Sequence, residues 1–121
     1  MKRLALCLSA FLLLLGVTPA HAGVLTYTTV LSGLTEVPPN NSSGTGTATV
    51  NIDDVANTMM ISVNWSGLSG VTTIAHIHCC TAEPLLGTAP PATMVPSFAG
   101  FPTGIKMGSY DATFNLLDAS T

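Results

Sequence analysis

Charged residues are scarce in this sequence, and cations are scarcer than anions. The chain has three Lys and Arg residues against six Asp and Glu residues. Two of the three cations, Lys2 and Arg3, lie at the extreme N-terminus, and the third is Lys106. Binding to a phosphate backbone or to an anionic bilayer depends on clustered Lys and Arg. We therefore expect neither nucleic acid nor a membrane surface as a partner.

The sequence also lacks an apolar run long enough to span a bilayer. Its longest run, residues 4–17, is shorter than the ~18 residues that a spanning helix needs. The run follows Lys2 and Arg3 and is followed by the small-residue site Ala20-His21-Ala22. A basic start, a short apolar stretch and such a site are typical of a secretory signal peptide. We predict that residues 1–22 are removed and that residues 23–121 form the mature domain, in the periplasm, outside the cell or on its surface.

Helical periodicity is absent from the mature region, which instead alternates in the manner of β-strands. With one cation against six acidic residues, a formal charge of −5, its exposed surface must consist mainly of Thr, Ser, Asn and Gly. The pattern predicts strands over residues 24–31, 45–52, 58–65, 71–80 and 109–116. In the third of them, Met59, Ile61, Val63 and Trp65 should face the core. Strands at these intervals predict an all-β, antiparallel sandwich or barrel.

Two connections between the predicted strands differ in kind. Residues 53–57, which include Asp53 and Asp54, predict a tight turn between paired strands. Two adjacent carboxylates could hold calcium, but without further oxygen ligands they are more typical of a solvated turn. Residues 83–104 are rich in Pro and Gly. A connection of that length is often a functional loop.

Several motifs of the mature region resemble the CHRD domain, a family named for its repeats in chordin. In chain order they are LSGLTEVPP at residues 31–39, GTGTA at 44–48, WSGL at 65–68 and AHIH at 75–78. The element HIHCC at 76–80 and the stretch FAGFPTG at 98–104 resemble the bacterial exported members of the family. The resemblance implies an immunoglobulin-like or superoxide-dismutase-like β-sandwich.

The sequence departs from that family near its C-terminus. Domains of this type usually close with an Asn-Ile-His-Thr motif and then a Gly-Glu-Ile-Arg-Gly motif, and neither precedes Thr121. The departure leads us to expect a sandwich that is incomplete at the C-terminus, with an unpaired sheet edge.

The main chemical motif of the mature chain is His76-Ile77-His78-Cys79-Cys80. On a strand, His76, His78 and Cys80 would point to one face. Two imidazoles with a nearby sulfur suit copper or zinc, so these three residues are the candidate metal ligands. The competing interpretation is that both histidines bond to loop carbonyls and hold the Pro-rich segment that follows.

The cysteines allow a second interpretation of the same motif. Cys7 belongs to the predicted signal peptide, so Cys79 and Cys80 form an even pair in an oxidising compartment. A bridge between sequence neighbours is sterically demanding, but it would end the strand and start a tight turn. We expect this disulfide, with free or metal-bound thiols as the alternative.

No nucleophile elbow, phosphate-binding loop or catalytic carboxylate pair can be assembled from this sequence, so we expect no enzymatic activity. The predicted function is that of an exported, non-catalytic CHRD-type module that binds an extracellular protein or matrix component or has a structural role. The alternative is a metal-binding or redox protein that uses His76, His78, Cys79 and Cys80, with copper or zinc as cofactor.

Overall fold

The computed structural model describes residues 23–83 and 86–120. Four strands make up its regular structure: β1 (Val24–Ser32), β2 (Thr45–Asp53), β3 (Thr58–Ser66) and β4 (Gly108–Asn115), with a 3₁₀ turn at Gly33–Thr35. Each matches a predicted strand to within one residue at either end, and the all-β prediction is confirmed. In the described part of the chain, no helix is long and apolar enough to cross a bilayer. The predicted signal peptide lies outside the described residues.

The four strands form one sheet in the order β1-β2-β3-β4, and all neighbours are antiparallel. One row across the sheet is Tyr27, Val50, Ile61 and Ala112. Because side chains alternate along a strand, this row and every second row beside it share one face. We call this the inner face.

The opposite, outer face carries mostly Thr, Ser and Asn. Thr26 donates a hydrogen bond to Asn51 at 2.7 Å, and the Asn64 amide donates to Thr47 at 2.7 Å. These cross-strand bonds satisfy polar side chains without charge. They explain how a chain with so few ionisable residues keeps one sheet face compatible with water.

The core lies between the inner face and residues 67–107, which we call the covering segment. Its buried residues are Met59, Ile61, Trp65, Phe98 and Tyr110. Ile61, near the middle of the sheet, is 2% exposed. The core-facing prediction for β3 is confirmed, and Val63 packs against this cluster as well. The fold is thus sandwich-like, with a regular sheet as one layer and an irregular segment as the other.

The prediction of a fifth strand at residues 71–80 is wrong. The only bridge recorded there, among the described residues, is the isolated pair His78 and Pro91. The partner stretch contains Pro90, Pro91, Pro96 and Pro102. Proline has no backbone N–H to donate, so a continuous ladder cannot form against such a stretch.

The covering segment does not reach over β1. Leu25 and Tyr27, both on the inner face, are each 56% exposed. β1 is also an edge strand, because its single described neighbour is β2. The apolar surface of the inner face is therefore buried at β3 and open at β1.

Candidate functional site

His76 and His78 lie side by side with their ring tips together. The two Nε2 atoms are 2.9 Å apart, and the ring centroids are 4.7 Å apart with the planes tilted by 51°. His76 is half-buried and His78 is exposed. The predicted placement of both rings on the same side of the segment is confirmed, even though the segment is not a strand.

The other nitrogen of each ring contacts a backbone carbonyl of the covering segment. His76 Nδ1 lies 2.9 Å from Pro96 O, and His78 Nδ1 lies 2.6 Å from Ala89 O. A carbonyl oxygen can only accept, so Nδ1 carries the proton in both rings. The predicted contacts of both histidines with carbonyls of the Pro-rich segment are present, and they involve Nδ1 alone.

The backbone around the two histidines is held by side-chain acceptors and main-chain donors. Ala75 N donates to Ser97 Oγ at 2.9 Å, and Ile77 N donates to Thr93 Oγ1 at 2.9 Å. In return, Ala75 O accepts from Phe98 N at 2.9 Å. Side-chain hydroxyls thus accept the N–H groups that a neighbouring strand would accept in a sheet. These bonds fix the backbone that carries both rings.

Cys79 and Cys80 follow the histidines directly. Their Sγ atoms are in direct contact with each other, the peptide between them is cis, and both residues are exposed. The two predictions for Cys80, metal ligand and disulfide partner, exclude each other, because a metal binds the thiolate. The contact between the two sulfurs is compatible with the disulfide, which stays a prediction, and in that state the two histidines are the remaining candidate ligands.

The carboxylates at the β2–β3 turn are bonded to backbone N–H groups. Asp53 Oδ1 accepts from Val55 N at 2.9 Å and from Ala56 N at 2.8 Å, and Asp54 Oδ1 accepts from Gly23 N at 2.8 Å. This is the geometry of a turn closed by an Asp side chain. In the described residues no group of three or more His, Cys, Asp or Glu side chains is arranged to hold a metal ion.

A cleft of about 620 Å³ lies beside the histidine pair, between the inner face and the covering segment. Its walls include His76, Trp65, Phe101 and Tyr110. Trp65 is 7% exposed, and its Nε1 has no hydrogen-bond partner among the described residues. The cleft extends from His76 to Thr29 and Leu31 on β1.

Sequence reasoning missed the role of the covering segment in this site. Residues 83–104 of this segment were predicted as a long connection with no part in the core assigned to them, yet Phe98 lies 5.3 Å from Phe114 and Phe101 lies 5.3 Å from Trp65, measured between ring centroids. The signal was present in the sequence, because two Phe residues three positions apart stand in an otherwise small and Pro-rich stretch.

Comparison with protein-family models matches residues 27–115 to the CHRD domain. The match begins inside β1 and ends at the last residue of β4, so it includes most of β1, the other three strands, the covering segment and the histidine pair. Neither the curated proteins nor the solved structures contain a significant match.

Proposed function

The chain belongs to the CHRD domain family, and from this premise we propose that it is an exported, non-catalytic module that binds an extracellular or periplasmic protein or matrix component. The observation that carries the proposal is that the family match includes nearly all of the described fold. Such modules are of the extracellular type in general. The contacts below support the finer parts of the proposal.

Export is supported by the position of Gly23. Its N atom lies 2.8 Å from Asp54 Oδ1, and β1 starts at the next residue. Cleavage after Ala22 would turn this N atom into a free ammonium group, and its neighbour is already a carboxylate. The predicted processing site therefore coincides with the start of the fold and produces an ion pair there.

Binding is supported by the open part of the inner face. Leu25 and Tyr27 present apolar surface on an edge strand, next to the half-buried Leu31. We call these three residues the β1 strip. Tyr is favoured at protein interfaces, because a rigid aromatic ring offers contact area together with one polar group. A partner would pack against the inner face at β1, which the covering segment leaves exposed.

The test has one readout for export and one for binding. Expressed with its own N-terminus in a bacterial host, the chain should appear outside the cytoplasm with a mass that starts at Gly23. A photo-crosslinking amino acid at position 27 should then form a discrete adduct in the envelope of the native host. The matched control is position 28, which is exposed on the outer face.

Two results would contradict the proposal. Recovery of an unprocessed chain from the cytoplasm would rule out export. Equal crosslinking at positions 27 and 28, or none at either, removes the β1 strip as the binding surface.

A further inference from the structure

The facing Nε2 atoms of His76 and His78 repel each other unless a positive species binds between them. With Nδ1 protonated in both rings, each neutral ring has a lone pair on Nε2. The two Nε2 atoms are nevertheless 2.9 Å apart. Two lone pairs at that distance repel each other unless a positive species binds to both. Either a shared proton or a metal ion satisfies this requirement.

The contacts made by Nδ1 favour the metal ion. A histidine that binds a metal almost always donates its other ring N–H to a carboxylate, a backbone carbonyl or water. Here both rings have such a partner, Pro96 O for His76 and Ala89 O for His78. These contacts orient both rings and direct both Nε2 atoms to the same place before any ligand arrives.

We propose that His76 and His78 bind copper(II) through their Nε2 atoms, as two adjacent ligands of an open, solvent-accessible site. The spacing fits copper better than zinc. With metal–nitrogen bonds of about 2.0 Å, a 2.9 Å separation corresponds to an angle of about 90° at the metal. This is the angle between neighbours in tetragonal copper(II), whereas tetrahedral zinc needs about 3.3 Å between the two nitrogens.

The remaining coordination positions are open to water or to a ligand from outside the chain. His78 is exposed, so a metal ion reaches the pair without rearrangement of the fold. Cys79 and Cys80 contact each other through sulfur, and among the described residues no third His, Cys, Asp or Glu completes the set. The ligand class that fits a third position is a small donor, such as an imidazole, a carboxylate or an amine.

Copper titration of the full chain tests the proposal. The protein is purified without a His tag and with its cysteines oxidised, then titrated with copper(II) and, separately, with zinc(II). We expect one copper per chain, bound at least tenfold more tightly than zinc. Pulsed electron paramagnetic resonance should detect the remote nitrogens of two coordinated imidazoles, a signature that hydrogen-bonded histidines alone do not produce.

Three variants support the assignment. His76→Ala/His78→Ala should weaken copper binding at least tenfold and abolish the imidazole signal, and His78→Ala, whose side chain is exposed, serves if the double variant fails to fold. Asp111→Asn, an exposed carboxylate on β4 outside the pair, is the control for other side-chain ligands and should bind copper like the wild type. Cys79→Ser/Cys80→Ser should keep the two-imidazole signal.

The proposal is overturned if copper binds the double variant within threefold of the wild type. It is also overturned if the wild-type spectrum lacks coordinated imidazole, in which case the two rings share a proton. Export and crosslinking at position 27 do not involve the histidines, so the module proposal and the copper proposal fail independently.

Discussion

At the scale of single residues, Trp65 and Tyr110 decide how the sheet meets the covering segment. Trp65 is in register with Gly46 on β2 and with Gly108 on β4, so small residues flank the indole on both sides. A Cβ at Gly46 would collide with the backbone oxygen of Asn64, so this position excludes larger residues, and a Cβ at Gly108 would lie 2.8 Å from Ile105 Cδ1 and 3.1 Å from the indole, so both side chains would have to shift. Tyr110 donates from its hydroxyl to Ala99 O at 2.8 Å and thereby ties β4 to the covering segment.

Replacing Tyr110 tests that contact and its pH dependence. Tyr110→Phe should lower the free energy of unfolding by about 1 kcal/mol at pH 7, since it leaves Ala99 O without this donor. Burial raises the pKa of Tyr110 above its ordinary value of about 10. The folded chain keeps this proton at a pH where the unfolded chain has lost it.

The wild type should therefore exceed Tyr110→Phe in free energy of unfolding by the full amount below pH 10, and the difference should decline as the pH rises through the raised pKa of Tyr110. Urea unfolding of both proteins at pH 7, 9 and 11 measures it. Tyr27→Phe is the control, because Tyr27 is 56% exposed and its replacement should change stability by less than about 0.5 kcal/mol at pH 7. A Tyr110→Phe penalty that does not fall with pH would contradict the assignment.

At the scale of elements, the hairpin of β2 and β3 has the strongest local determinants. Its nine-residue strands are in register from Thr45 opposite Ser66 to Asp53 opposite Thr58. The Asp53 carboxylate accepts two backbone N–H groups of the turn. Asn57 then takes φ +53°, the left-handed region that Asn tolerates better than most residues. The turn is therefore encoded by side chains within five positions.

Substitutions at Asn57 test this local control. Asn57→Gly should leave stability nearly unchanged, because Gly adopts positive φ without steric penalty. Asn57→Ala should lower it by roughly 1 kcal/mol, because Ala keeps the Cβ that disfavours positive φ but lacks the amide that bonds locally to Val55 O. Thermal and urea unfolding of the two variants provide the comparison. Equal effects of Gly and Ala would show that the Asn57 side chain, which donates to Val55 O, matters more than its φ.

At the scale of the whole molecule, the covering segment serves as the second layer of a sandwich-like fold. Phe98 is 6% exposed and lies against Phe114 and Tyr110, with ring centroids 5.3 and 6.1 Å away. The same segment supplies Pro96 O and Ala89 O to the histidine pair. Core packing and the orientation of the candidate metal ligands thus depend on one stretch of chain.

Truncating Phe98 tests this dependence. Phe98→Ala should lower the free energy of unfolding by roughly 3 to 5 kcal/mol, the usual loss for a buried Phe, and Phe98→Leu by about 1 kcal/mol. Urea unfolding followed by Trp65 fluorescence measures both, and the Leu variant gives a value if the Ala variant does not fold. Val95→Ala is the control from the same segment, because Val95 is 65% exposed. If Phe98→Ala had no greater effect than Val95→Ala, the segment would be a surface loop.

The sequence by itself determined the four strands, the β2–β3 turn, the core-facing side of β3 and the family. These features depend on alternation along a strand and on side chains within a few positions of each other, so they can be predicted from local patterns. The sequence also predicted that His76 and His78 lie on the same side of the chain, because residues two positions apart do so in any extended backbone.

Only the tertiary structure decided what two parts of the covering segment do, residues 71–80 and the Pro-rich residues 83–104. The former alternates like a strand, but its partner stretch is interrupted by prolines that cannot donate to a ladder. The two segments are therefore joined by hydroxyls and imidazoles, such as Ser97 Oγ to Ala75 N and His76 Nδ1 to Pro96 O. The inward position of Phe98 and the facing Nε2 atoms follow from those contacts, which join residues about twenty positions apart and leave no periodic trace in the sequence.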